Sequence, residues 1–356
     1  VMSRKNPDKK APPPRLTVKE VSEKLGVSTA TISNAFNRPD QLSVELRSRI
    51  LRECEKLGYF GPNPAARSLR TGSTGVVGVM LAENMSYNFK DSCAIEFLEG
   101  VASVLDEQKK NLLLMPGRQE FYAQSSLEAI PDRYIIYGPP RDLVLLPRIE
   151  AQRKPIVTVD FSLPNHLALN VDNYRGAKES AQRLFAKVDQ DIAIIGLRLT
   201  LTDKFLRLDN HQLHDFEMSV SRQRLDGYLD AAKEAGIEIS NDHIWSTPES
   251  TWNEGVKAAR NALMNTPVPK GLLCQSDQLA LAALSVAREL GIRVPEDLKI
   301  VGFDGIPETV RSHPTLSTVQ QPSFEKGQLA AMMVLSPDNF SSRVLPVTYI
   351  DRETTA

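Results

Sequence analysis

The chain has 356 residues, enough for two or three domains, and 41% of them are hydrophobic, a share that suits a globular fold in water. Its formal net charge of −1 hides a division: residues 1–70 carry fourteen Lys and Arg against seven Asp and Glu, a net of +7, which leaves −8 on the remaining 286. No apolar run approaches a membrane span, the first residues lack an apolar signal core, and three widely spaced cysteines (Cys54, Cys93, Cys274) exclude a disulfide framework and a cysteine-based zinc site. The expectation is a cytoplasmic protein with three thiols and no metal or other cofactor. His211 and His214 stand three apart without a third ligand at a convincing spacing.

Residues 1–15, with Arg4, Lys5, Lys9, Lys10 and Pro12-Pro13-Pro14, read as a disordered basic arm. From Leu16 to Asn37 two short helical patterns pivot on Gly26-Val27-Ser28. Thr17 and Glu20 form a capping box for the first, about 17–25, in which Val18, Val21 and Leu25 recur at helical spacing. Ser28 caps the second, which buries Ile32 and Phe36 and leaves Thr29, Ala30, Ser33 and Asn34 outward. A third pattern, capped by Ser43 with Leu46, Ile50, Cys54 and Leu57 on one face, stops at Gly58. Two helices about a tight turn, closed by a third, make a helix-turn-helix head over residues 16–60, and double-stranded DNA is the partner this implies. The local excess of positive charge agrees, because neutralised phosphates supply much of the affinity of such heads.

GPNPAARSLRTGSTG, residues 61–75, is a linker containing a single helical turn, with Asn63 as cap and Pro64 at its first position. A helix that short is marginal alone, so the expectation is that it forms on DNA, with Ala66, Arg67 and Leu69 at the minor groove and Leu69 as an apolar wedge.

From Val76 onward, short β-branched runs at 76–81, 111–116, 133–138, 155–160, 191–196, 271–276 and 298–303 alternate with helical patterns at about 94–108, 174–187, 219–235, 252–265, 277–290 and 324–335. That alternation means parallel sheets, and roughly 280 residues exceed one open sheet, so the body is α/β with two doubly wound lobes. The expected lobes are 76–170 with 321–340 and 171–320 with 341–356. Ligands of such folds bind outside the carboxyl ends of the strands, where Asp160, Ser276-Asp277 and Asp304 fall. Asp277 is expected to cap its own helix.

Over Leu16 to Thr355 the chain resembles the LacI/GalR family of bacterial transcription regulators. The resemblance is carried by Gly26-Val27-Ser28, Thr31-Ile32-Ser33 and Asn37 in the head, Ala66-Arg67-Ser68-Leu69 in the linker, and RLDGY at 224–228, SDQLALAAL at 276–284, VPEDLKIVGFDG at 294–305 and LSTVQQP at 316–322 in the body. It implies a homodimer, or a dimer of dimers, whose heads bind a pseudo-palindromic operator. The body would resemble periplasmic sugar-binding proteins and sense a small effector, a sugar or a nucleoside. By position, Thr29, Ala30 and Asn34 become the base-reading residues, Thr31, Ser33 and Asn37 the phosphate contacts, and Asp160, Arg224, Ser276, Asp304 and Gln321 the effector contacts. Ala30 offers a methyl alone, so specificity should rest on Thr29 and Asn34, whose amide can pair with adenine.

Two segments depart from the family's pattern. ENMSYNFKDSCA, 83–94, is longer than its usual loop and brings Tyr87, Phe89 and Asp91 as candidates to face an effector. Residues 199–218 also look extended and read as a lid or loop. A solute-binding protein for transport, or a sugar- or nucleoside-acting enzyme with an appended head, are the competing classes. The head and the missing signal peptide count against the first. Against the second, no G-x-S-x-G elbow, P-loop or HExxH is present, so no catalytic residue is assigned.

Overall fold

A computed structural model describes residues 16–61, 72–117, 130–140, 145–200, 204–208, 219–265 and 267–356. The basic arm, the linker residues Ala66, Arg67 and Leu69, His211 and His214, and most of the 199–218 segment lie outside the described residues. The chain divides into two compact units, Val1–Thr74 and Gly75–Ala356.

In the first unit, α1 (Val18–Leu25), α2 (Thr29–Asn37) and α3 (Val44–Lys56) each start where a local capping group stands ready. The Thr17 hydroxyl accepts from the Glu20 amide and the Glu20 carboxylate accepts from the Thr17 amide at 2.6 Å, both halves of a capping box. Ser28 and Ser43 accept from the amides of Thr31 and Leu46. Gly26 ends α1 at φ 64°, in the left-handed region that favours glycine. Val21, Ile32, Ala35, Ile50 and Cys54 have no exposed surface and form the core, with Phe36 meeting the Tyr59 ring edge-on at 5.8 Å.

The second unit holds two sheets. One has the order β12-β5-β4-β3-β1-β2, built from β1 (Val76–Leu81), β2 (Asn111–Pro116), β3 (Arg133–Tyr137), β4 (Ile156–Val159), β5 (Leu167–Val171) and β12 (Arg343–Leu345), all parallel. The other has the order β13-β11-β10-β9-β6-β8-β7, from β6 (Ile192–Gly196), β7 (Leu206–Arg207), β8 (Ile244–Ser246), β9 (Gly271–Cys274), β10 (Lys299–Asp304), β11 (Ser317–Gln320) and β13 (Thr348–Ile350). Only its two edge strands, β7 and β13, run antiparallel to their neighbours. The central strands are buried on both faces, as parallel sheets covered by helices must be. The helices are α4 (Met85–Asn88), α5 (Ser92–Glu107), α6 (Leu145–Glu150), α7 (Asn173–Phe185), α8 (Val220–Ala235), α9 (Trp252–Leu263), α10 (Asp277–Glu289) and α11 (Ser323–Leu335).

The chain passes between the lobes three times: from β5 into α7, from β11 into α11, and from β12 into β13. The second passage carries α11 onto the first lobe, where Leu329, Ala330 and Met333 join the core beneath Phe97 and Val101. Gly100 of α5 and Gly327 of α11 let these helices touch backbone to backbone. A Cβ on Gly100 would lie 2.0 Å from the Phe324 carbonyl oxygen, and one on Gly327 the same distance from that of Phe97. That close crossing fixes where α11 begins, and therefore where Gln321 and Lys326 stand relative to the carboxyl ends of both sheets.

Candidate functional sites on the head and between the lobes

On the head, Thr29 and Ala30 occupy the first turn of α2 and are exposed, while Ser33 and Asn34 lie one turn on and are half-buried. Thr31 shares a hydroxyl hydrogen bond of 2.8 Å with Ser28, and Asn37 donates back to the Ser33 carbonyl at 2.9 Å. The expected outward set therefore occupies one edge of a capped helix whose opposite edge, Ile32 and Ala35, is core. An α-helix presented in this way fits the width of a major groove.

In the body, four of the expected effector residues come together where the lobes meet. Arg224, buried on α8, donates from Nε to Asn173 Oδ1 at 2.9 Å, and from Nη1 to the Gln275 carbonyl and to Asp304 Oδ1 at 3.0 Å. Its guanidinium lies 3.6 Å from the centre of the Phe303 ring. Asp304 Oδ1 also accepts from Gln321 Nε2 at 2.8 Å, and Gln321 Oε1 accepts from Lys326 Nζ at 2.9 Å. Lys326 in turn donates to both oxygens of Asp160, at 3.1 and 2.8 Å. One chain of polar contacts, Arg224–Asp304–Gln321–Lys326–Asp160, thus runs from the second lobe to the first. Its two aspartates stand in strained backbone, φ 123° at Asp304 and 62° at Asp160, each at the carboxyl end of a strand.

Lys326 went unforeseen in the sequence, although it is fully buried, because a lysine within a helical pattern reads as a solvated face. Ser276, not Asp277, caps α10: its hydroxyl accepts from the Leu279 amide and meets the Ser250 hydroxyl at 2.6 Å. Asp277 instead accepts from the amides of Gly305 and Ile306 and from the Thr318 hydroxyl, pinning the turn after β10. Burial first, then the neighbouring Asp304 carboxylate, push Asp277 well above the usual carboxylate range.

Beside this network opens a cavity of about 550 Å³, within the size range of small-molecule sites. Asn84, Ser86, Tyr87, Lys90 and Asp91 line it from the first lobe, and residues 248–254 with Gln278 line it from the second. Tyr87 and Asp91 are therefore on its wall, whereas Phe89 is 56% exposed and is not among the lining residues. Asp304 faces a smaller adjoining recess with Lys90, Asp91 and Ser250. Glu249, Trp252 and Glu254 carried no sequence signal, since they come from a loop and a helix start with no motif of their own, and Gln278 stands within the SDQLALAAL run but was not singled out from it. Ser92 Oγ meets Glu308 Oε2 at 3.4 Å and Arg198 meets Glu83 at 3.6 Å, two further contacts from lobe to lobe.

Asp91 caps α5 through the Cys93 amide at 3.0 Å, and burial, then the charge of Asp304, raise it from 3.8 to about 6. A carboxyl raised on folding favours the native state below its unfolded pKa, and that contribution is lost as pH rises through the folded value. Asp91→Asn keeps an oxygen for the cap and removes the charge. We expect it to stabilise the ligand-free protein by about 1–3 kcal/mol near pH 8, with the gain vanishing by about pH 4, in denaturant titrations at the two pH values. Equal effects at both would mean the Asp91 carboxylate carries no excess charge penalty.

The comparisons with known proteins bear on the fold and the family. Residues 187–355 match the model of the periplasmic binding protein-like domain. An HTH-type transcriptional regulator of Mycolicibacterium smegmatis is 35% identical over 353 residues, 94% of each chain. The structure of a transcriptional regulator of the LacI family from Corynebacterium glutamicum is 26% identical and superposes with a TM-score of 0.70 over 95% of this chain and 98% of its own. The lac repressor dimer bound to operator and an anti-inducer, 21% identical, shares the fold at a TM-score of 0.74 over 96% and 99% of the two chains.

Proposed function

The chain belongs to the LacI family of helix-turn-helix transcriptional regulators, and from that premise we propose that it is a cytoplasmic repressor whose operator affinity is set by a sugar or nucleoside bound between the lobes of its body. It acts as a homodimer, or a dimer of dimers, on a pseudo-palindromic operator, and its chemistry is binding rather than catalysis. The observation that carries this reading is a polar chain spanning both lobes, Arg224 to Asp160, beside a lined cavity, in a polypeptide that also holds a separately cored reading head. Ligand in the cavity changes how the lobes meet, and differential affinity for the two lobe arrangements is what moves DNA affinity. In the head, Thr29, Ala30 and Asn34 read bases, and Thr31, Ser33 and Asn37 hold phosphates. Leu69, with Ala66 and Arg67, enters the minor groove at the operator centre.

Selection from random double-stranded DNA should return inverted half-sites, and enriched sequences without two-fold symmetry would refute the dimeric reading. Within the selected site, Asn34→Ala should cost about 1–3 kcal/mol and relax preference at one base pair per half-site. Loss spread evenly over all sequences would instead make Asn34 a phosphate contact.

A further inference from the structure

Resting on the reading of the cleft as the effector site, we propose that its ligand is an uncharged or amine-bearing polyhydroxylated molecule, and that phosphate esters of the same skeleton are excluded. The regulator then reads the pool that a phosphorylating reaction consumes, not the product of that reaction.

The cavity wall carries three carboxylates, Asp91, Glu249 and Glu254, against one ammonium, Lys90, among the described lining residues. Asp304 adds a fourth carboxylate in the adjoining recess. Arg224 and Lys326, the cations able to complement a phosphate, do not line the cavity and are engaged with Asp304 and Asp160. Helix N-termini are the other common phosphate donors, and at each of the three longer helices that begin at this site one amide of the first turn is already bonded to the protein's own side chain. Asp91 accepts from the Cys93 amide at the start of α5, Thr251 from that of Glu254 in α9, and Ser276 from that of Leu279 in α10.

The wall asks for donors. Glu254 Oε2 is itself buried, 4.0 Å from Lys257 Nζ, while the Glu254 side chain as a whole is 26% exposed. A ligand hydroxyl or ammonium can donate to the accessible carboxylate oxygens of the wall, whereas a phosphate brings further acceptors and further negative charge. Tyr87 and Trp252, one from each lobe, supply the aromatic surface that sugar and base faces pack against.

The test is calorimetry on the full chain with skeletons in matched forms: glucose, glucosamine and glucose phosphate, ribose and ribose phosphate, and cytidine and adenosine with their monophosphates. For each skeleton that binds, the amine should bind at least as tightly as the parent and the phosphate at least about 100-fold more weakly, since like-charge juxtaposition dominates. A phosphate form within about tenfold of its parent, or tighter, overturns the proposal while leaving the cleft as the effector site. Glu249→Lys reverses one wall charge and should improve the phosphate's affinity at least about tenfold relative to the parent compound. No gain would also overturn the proposal. If no skeleton binds in any form, the cleft reading itself fails, and the proposal with it.

Discussion

Arg224→Ala is expected to destabilise the two-lobed unit by about 3–5 kcal/mol, because it removes one partner of a buried ion pair and leaves the other charged. Among the described residues Asp304, 14% exposed, would keep the Gln321 amide alone, while Asn173 Oδ1 and the Gln275 carbonyl lose the Arg224 donor. The packing of the guanidinium on Phe303 is lost as well. Arg224→Lys restores the charge without the planar fork, so it should recover part of the loss and no more. Urea unfolding of the full chain, followed at more than one wavelength, checks this. A change under about 1 kcal/mol for Arg224→Ala would mean that the network is a surface-like pair of little weight. The consequence for function is direct: a variant of Arg224 that fails to respond to effector reports first on the fold of the cleft, so its stability has to be measured before its ligand affinity is interpreted.

Lys326→Met should have a comparable effect, about 3–5 kcal/mol, on the same grounds. The side chain of Lys326 has no exposed surface and that of Asp160 is 13% exposed, so the carboxylate would be left inside with no cation, and Gln321 Oε1 would lose its donor. The double variant Lys326→Met with Asp160→Asn separates charge from packing. Asn tolerates the left-handed φ of 62° that residue 160 adopts, and it is neutral. It should therefore recover most of the lost stability, since replacing both members of a buried pair is often near neutral. If the double variant is as unstable as the single one, the contribution of Lys326 lies in the packing of its stem against the first lobe and not in its charge.

How much of this was legible in the sequence depended on how local each cause was. The caps Thr17, Ser28 and Ser43 act within three residues, and all three helices of the head begin where those residues stand. The runs at 76–81 and 111–116 are strands over the same residues, because they are apolar and flanked by turn-forming groups. The two edge strands nearest the C-terminal end of the sequence were not legible. Arg343–Leu345 and Thr348–Ile350 are three residues each, and they are strands because β5 and β11, far back in the chain, offer free edges. The first of them extends the first sheet, so the final passage between lobes comes after Leu345. In the site, Asp160, Arg224, Asp304 and Gln321 could be named from the resemblance, whereas Lys326 could not. Its partner Asp160 is 166 residues earlier, and the packing of α11 on β4 and its close crossing of α5 at Gly100 and Gly327 bring the two together. The cavity wall was half visible for a related reason. Tyr87 and Asp91 sat in a segment long enough to draw notice, while Glu249, Trp252 and Glu254 drew none.

On the proposed function, ligand in the cleft and DNA on the head are thermodynamically linked. The most direct measurement is operator affinity, by fluorescence anisotropy at fixed salt, without and with a saturating cleft ligand, paired with calorimetry of that ligand on the free and the operator-bound protein. Operator affinity should change about 5- to 150-fold, with the ligand's own affinity shifted by the same factor when operator is bound. A ligand that saturates the cleft while leaving operator affinity unchanged, or two factors that disagree, would contradict the linkage.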